Sequence, residues 1–385
     1  MSASAAFFGR RREWSRWKHA LLKRYLPKFV GILGSRHDLI YFVDGFAGAG
    51  GYAGDHDGAP WVDGSPLLAA RLASEIAGSG KWSYALRCIN VEHDKDIYPS
   101  LCAATSAFPP PLVANLHGTF RRHFNTILNH VGAAPALFFL DPFGYAGMEW
   151  DLIGRLAERA KAAPTEVIIN FLIDEIDQAA GWVDSREQKA APAFVRRVDA
   201  LYGTEQWRDI VLAEQRTEER KRRLTRLYQE RLSSAFGYAA RYSVRAIDGS
   251  IRYYLLYGTR HPRGAREMSD VVYRVENDYA TAKLDLERDR PVQLGFEDIG
   301  KPLPSPDAER AAMLERLSAD VADLGLERGR IRFGDIQNQL AVSWFGRAIT
   351  PHFRAACGRL IREGRIIRDS EKGIGDRTLL VFRQE

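Results

Sequence analysis

Apolar positions along the chain fall into short runs separated by amphipathic stretches. The clearest run is Leu39–Asp44, LIYFVD. It stops at an acid and is followed by a turn holding Gly45, Gly48, Gly50 and Gly51. Such a run predicts a buried strand, and glycines after it let a ligand approach the backbone where a Cβ would block it. Upstream, Trp17, Leu21, Leu22, Tyr25, Leu26 and Phe29 recur at helical spacing, predicting an amphipathic helix with a basic face over Trp17–Val30. Downstream, Trp82–Val91, Leu112–His117, Ala136–Leu140 and Glu166–Phe171 predict further strands. Helices are predicted at Phe124–Val131 and at Pro66–Ile76, the latter with Ser65 as N-cap and Pro66 at the first helical position. Tyr52–Asp63, rich in Gly, Asp and Ala, reads as a loop. Strands alternating with helices predict a parallel α/β sheet with helices on both faces.

The pattern then changes twice. Asp174–Phe236 reads as a helical insertion carrying a basic run that includes Arg220, Lys221, Arg222 and Arg223. Such a run is a solvated helix face or a nucleic-acid surface. Arg241–Ile247 and Ile251–Thr259 flank Asp248-Gly249, a hairpin signal. The proline-rich stretch from Lys301 to Pro306 predicts a linker, with residues 1–300 as one domain and 301–385 as a second. Beyond it, a helix (Ala308–Leu324), a short strand (Ile331–Phe333), two helices (Phe333–Gln339, Thr350–Glu363) and two wing strands (Arg365–Arg368, Thr378–Phe382) predict a winged helix. Arg354, Arg359 and Arg362 on its last helix suit a phosphate backbone, although winged helices also dock proteins.

Composition narrows the class. The formal net charge of +6 over 385 residues permits a nucleic-acid partner without requiring one. The three cysteines form no CxxC pair, which argues against a disulfide framework or a zinc site and for a reducing, cytoplasmic location. No apolar run approaches the ~18–20 residues of a membrane span. The apolar part of Met1–Trp14 is too short for a signal peptide. Asp55, His56 and Asp57 are metal-ligand types, but their Gly-rich loop predicts no metal site.

Candidate chemistry gathers on one rim. Asp44, Glu92, Gly118 and Asp141 all fall at the carboxyl ends of predicted strands, where doubly wound sheets bind ligands. An acid in the place of Glu92 typically hydrogen-bonds ribose hydroxyls. The GFAGAG turn does not fit G-x-G-x-x-G, and no Tyr-Lys pair or catalytic His is apparent, which argues against a dehydrogenase. A parallel sheet ending in an antiparallel hairpin resembles class I S-adenosylmethionine-dependent methyltransferases.

Specific motifs sharpen that resemblance. Lys18-His19 with Leu21-Leu22, DGFAGAG at Asp44–Gly50, Gly64-Ser65-Pro66, FFLDPFG at Phe138–Gly144, INF at Ile169–Phe171, and His261-Pro262-Arg263-Gly264 with Met268 resemble the three-Cys-motif partner (TcmP) family, in order over most of the chain. The Lys-His start, the glycine turn, the Gly-Ser-Pro helix opening and the Asp-Pro motif also resemble ribosomal RNA adenine-N6 methyltransferases of the RlmJ type, over the catalytic domain alone. The resemblance implies a Rossmann-like fold binding S-adenosylmethionine. Asp44, Gly45, Phe46, Ala47, Gly48 and Gly50 would cradle the methionine part. Glu92 would hold the ribose, Gly118 and Thr119 would lie by the adenine, and His19 would come over the cofactor. Asp141, Pro142 and Phe143 resemble the D-P-P-Y motif of amino-methyltransferases, which orients an exocyclic amine at the sulfonium methyl. A base presented in this way is flipped or single-stranded. Here the second proline is missing and Gly144 follows Phe143. The family name also implies a partner with a radical-S-adenosylmethionine-like three-cysteine motif. Two functions remain open: a methyltransferase acting on an amine of a nucleic-acid base, or a methyltransferase-like binding partner that transfers nothing.

Overall fold

The computed structural model describes residues 13–52, 61–142, 144, 147–178, 191–245, 251–288, 306–369 and 373–383. The chain divides into two compact units, Met1–Gly264 and Ala265–Glu385. The proline-rich stretch through Ser305 lies outside the described residues.

The first unit opens with helix α1 (Glu13–Leu33), strand β1 (Leu39–Asp44), the short strands β2 (Gly51–Tyr52) and β3 (Val62–Asp63), and helix α2 (Ser65–Ser79). It continues through β4 (Ala85–Glu92), α3 (Tyr98–Thr105), β5 (Val113–His117), α4 (Phe120–Val131), β6 (Ala136–Leu140), α5 (Trp150–Ala162) and β7 (Thr165–Phe171). Helices α6 (Ile173–Gln178), α7 (Ala191–Tyr202), α8 (Gln206–Ala213) and α9 (Thr217–Phe236) occupy the stretch read as a helical insertion. Strands β8 (Tyr238–Arg245) and β9 (Ile251–Thr259) complete the sheet.

The main sheet runs β5-β4-β1-β6-β7-β9-β8. Pairing is parallel from β5 through β7, and β9 is antiparallel to both β7 and β8. This is the Rossmann-like class I methyltransferase arrangement. The order reverses between β1 and β6, and that switch point opens a crevice at the carboxyl ends of both strands. On one face, Val43, Phe138, Leu140, Ile169 and Phe171 form a core with Phe124 of α4, Leu152 and Leu156 of α5, and Tyr228 and Leu232 of α9.

Helix α1 packs on the opposite face, fixed partly by a buried polar knot. The Tyr25 hydroxyl donates to Glu166 Oε2 (2.6 Å) and lies 2.7 Å from the Tyr257 hydroxyl, while the Thr259 hydroxyl donates to Glu166 Oε1 (3.0 Å). Burial pushes the Glu166 carboxyl up, against the hydrogen bonds that favour its charge. Tyr25→Phe removes one donor from this buried acid and should cost about 1–3 kcal/mol. Urea unfolding checks this, and an unchanged midpoint would show that α1 is held by its apolar stripe alone.

The structure departs from the sequence reading in a few places. Gly64, not Ser65, is the N-cap of α2. The Gly64 N–H donates to the Gly50 carbonyl (2.9 Å), and a Cβ at Gly64 would lie 2.8 Å from that oxygen. The helix start is therefore docked on the glycine turn, and Ser65 moves into the first helical position. The stretch read as a loop is pinned at its ends by β2–β3, with Gly51 opposite Asp63. Residues 53–60, with Asp55, His56 and Asp57, lie outside the described residues, as does Asp248-Gly249. Among the described residues no group of three or more His, Cys, Asp or Glu could hold a metal, and no helix is long and apolar enough to cross a membrane.

The second unit takes in most of α10 (Pro262–Arg288), then α11 (Pro306–Arg328), β10 (Arg330–Arg332), α12 (Phe333–Leu340), α13 (Thr350–Arg362), β11 (Ile366–Arg368) and β12 (Leu379–Phe382). Its antiparallel sheet runs β10-β12-β11. Leu317, Val321, Phe333, Phe353, Leu360 and Leu380 lie in its core.

Candidate functional site

The glycine turn leaves β1 at the switch point. Gly48 and Gly50 take left-handed φ values of 61° and 85°. A Cβ at Gly50 would lie 2.9 Å from that of Ala104 on α3, so this position excludes a side chain twice over. Glu92, at the end of neighbouring β4, ties the turn down. Its Oε2 accepts from the Gly48 N–H (2.8 Å) and its Oε1 from the Asp94 N–H (2.7 Å). Both oxygens keep lone pairs for hydroxyl groups.

A cleft of about 420 Å³ opens beside the turn. Gly45, Phe46, Glu92, Gly118 and Thr119 line it together. Thr119 also caps α4, accepting from the Arg122 N–H (3.2 Å). The lining adds residues that sequence reading missed: Asp94, Ile97, Phe120, Arg121, Gly147 and Glu149. Ile97, Phe46 and Phe120 offer apolar surface to a flat ring. Arg121 is fixed by Asp151 (2.7 Å) and Glu149 (3.3 Å) at the mouth. Only the position of α4 after β5 could have pointed to Phe120 and Arg121.

Asp44 sits under the turn, fully buried. Its Oδ1 accepts from the Phe46 N–H (3.1 Å), while its Oδ2 has no hydrogen-bond partner among the described residues. Burial pushes its carboxyl up to about 7, with Ser65 and the Phe46 N–H pulling against that and Asp141 and Glu92 adding to it. An unpartnered, buried carboxylate oxygen beside an open cleft suits a cationic ligand group.

Asp141 follows β6 and is ion-paired with Lys18 of α1, whose ammonium also lies 5.6 Å from the Tyr253 ring centroid. Lys18 is the site residue that the Lys-His pair concealed. His19 is 7 % exposed, with its ring 5.5 Å from that of Tyr52 just beyond the turn. Ala47 continues the turn, its N–H donating to the Val91 carbonyl (2.9 Å). Pro142 is buried, and Phe143 lies outside the described residues.

The basic surfaces are largely engaged. On α9, Arg220 pairs with Asp177 (2.7 Å) and Lys221 with Asp174 (2.8 Å), both cations largely buried, while the exposed Arg222 pairs with Glu219 (2.7 Å). On α13, the Arg354 Nε donates to the Ile374 carbonyl (2.9 Å) and Arg359 pairs with Glu363 (2.8 Å), while Arg362 is exposed.

No family model and no curated protein matches the chain. Among solved structures it is similar to a Legionella pneumophila protein at 11 % identity, covering 63 % of this chain and 84 % of that one, with a TM-score of 0.35. It is similar to an O-methyltransferase from Bacillus cereus in complex with SAH at 14 % identity, covering 66 % and 86 %, with a TM-score of 0.34. It is also similar to the O-methyltransferase TomG from Streptomyces achromogenes in complex with SAM at 13 % identity, covering 66 % and 93 %, with a TM-score of 0.31.

Proposed function

We propose that this chain is an S-adenosylmethionine-dependent methyltransferase acting on an amine of a nucleic-acid base, in the manner of a three-Cys-motif partner protein. The observation that carries the reading is the Glu92-pinned glycine turn beside the cleft at the switch point. Glu92 would accept from the ribose hydroxyls. Phe46, Ile97 and Phe120 would flank the adenine, and Asp44 would face the cationic methionine end. Asp141 stands one strand away, where it would hold the acceptor amine. The bound cofactor supplies the activated methyl group; the protein's part is orientation. The second unit, read as a winged helix, would bring nucleic acid through Arg354, Arg359 and Arg362.

The test is calorimetric titration of S-adenosylmethionine, with S-adenosylhomocysteine production assayed on DNA and RNA fractions. Micromolar-range binding is expected. Glu92→Ala should weaken it by about 1–3 kcal/mol, because the ribose loses an acceptor. It also frees the Gly48 N–H, so the loss should fall toward the upper end. No heat from the wild type would end the proposal.

The Lys18–Asp141 pair favours a second reading, a methyltransferase-like partner of a three-cysteine-motif protein. In that case the carboxylate serves only to anchor α1. Cofactor binding without turnover on any nucleic acid, with that partner present, would select this reading.

A further inference from the structure

Asn170 lies near the end of β7 and is 1 % exposed, yet neither its Oδ1 nor its Nδ2 has a hydrogen-bond partner among the described residues. A buried amide with donor and acceptor both unmet is rare in a native core and calls for a reason. Sheet register fixes where the amide points. Ile169 and Phe171 enter the core on one face, so Asn170 points to the other, the face that α1 packs against. Leu140 pairs with Ile169, which brings the next residue, Asp141, beside Asn170. On the opposite side Asn170 pairs with Leu255 of β9. Tyr253, two residues before Leu255 and on the same face, carries the ring near Lys18. The unmet amide therefore stands next to the Lys18–Asp141 pair, at the carboxyl edge that also holds the glycine turn.

We propose that Asn170 reads the acceptor base, its Oδ1 accepting from an exocyclic amine and its Nδ2 donating to the adjacent ring nitrogen of adenine or cytosine. An amide alone fits either orientation of such an edge, since it both donates and accepts. The Asp141 carboxylate, paired with Lys18, only accepts, so the group between the two must donate twice, and an amine does so. Uracil and thymine would turn a carbonyl toward Asp141. Guanine would turn its ring N–H toward the Asn170 donor. The proposal rests on reading this rim as a methyltransferase site, but it concerns base recognition and can be tested apart from turnover.

The experiment measures fluorescence anisotropy of the full chain with short single-stranded oligonucleotides. Each carries one adenine, cytosine, guanine or thymine in an otherwise abasic run, with and without S-adenosylhomocysteine. Contacts to the backbone are common to all four and cancel in the ratios. Adenine and cytosine should bind at least about tenfold tighter than guanine and thymine, the discrimination a good bidentate pair gives. Asn170→Leu should erase the preference while the melting temperature holds or rises, because an unmet buried amide has been removed. Asn170→Asp should shift the preference toward guanine, and it decides the matter if the leucine variant does not fold. Equal affinity for all four bases in the wild type, or a preference that survives Asn170→Leu, overturns the proposal. Cofactor titration is scored separately: binding without base preference sinks the Asn170 assignment alone, and base preference without cofactor binding sinks the methyltransferase reading alone.

Discussion

Asp141→Ala is expected to slow methyl transfer by at least about 100-fold while leaving cofactor affinity nearly unchanged. Asp141 does not line the cleft beside the glycine turn, so the turn and its Glu92 bridge should survive the loss. What disappears is the acceptor that would hold the substrate amine in line with the methyl group, and orientation of that kind contributes several kcal/mol to a barrier. The ion pair with Lys18 supplies a competing outcome. If Asp141 only anchors α1, the alanine variant melts lower and loses cofactor binding together with activity. Measuring affinity, melting temperature and S-adenosylhomocysteine release on one preparation separates the two.

The second large effect concerns Asp44 and pH. Its carboxyl is raised from 3.8 to about 7 in the folded chain, chiefly by burial. A raised carboxyl means that the folded state holds its proton longer than the unfolded one. Stability from this group is therefore complete below about pH 4 and is lost as pH climbs to about 7. At about 1.4 kcal/mol per unit the full loss approaches roughly 4 kcal/mol. Asp44→Asn keeps the shape and does not titrate. It should match the wild type at pH 4 and be markedly more stable at pH 8, as denaturant melts at the two values would record. A parallel stability profile for the two proteins would mean that Asp44 titrates normally. Cofactor affinity should move the other way, because a cationic ligand needs the ionised form; wild-type binding should then release protons near pH 7.

Strands β1, β6 and β7 are legible because each is a largely apolar run with an acid or an asparagine at or near its end, a pattern that survives without tertiary context. The rim residues Asp44, Glu92 and Gly118 follow from predicted strand ends. Helices α3 and α5 were not singled out. Helix α3 spans only Tyr98–Thr105, of which just Leu101 and Thr105 are buried. The N-cap of α2 was misplaced because its choice depends on the Gly50 carbonyl, a contact that propensity does not see. The Lys18–Asp141 pair and the unmet amide of Asn170 are products of register and packing, and local sequence carries no trace of either.

The contacts of α1 also set a timetable. Its partners lie far along the chain: Asp141 is 123 residues from Lys18, Glu166 is 141 from Tyr25, and Tyr257 is 232 from Tyr25. A ribosome adding about 5–20 residues per second leaves the helix waiting on the order of ten to fifty seconds for the last of them. Through that interval Leu21, Leu22, Tyr25, Leu26 and Phe29, all buried in the finished protein, have at most an incomplete sheet to cover them. Helix α1 is thus made well before its docking site is complete, and a nascent chain stalled before β9 would leave part of that stripe to chaperones.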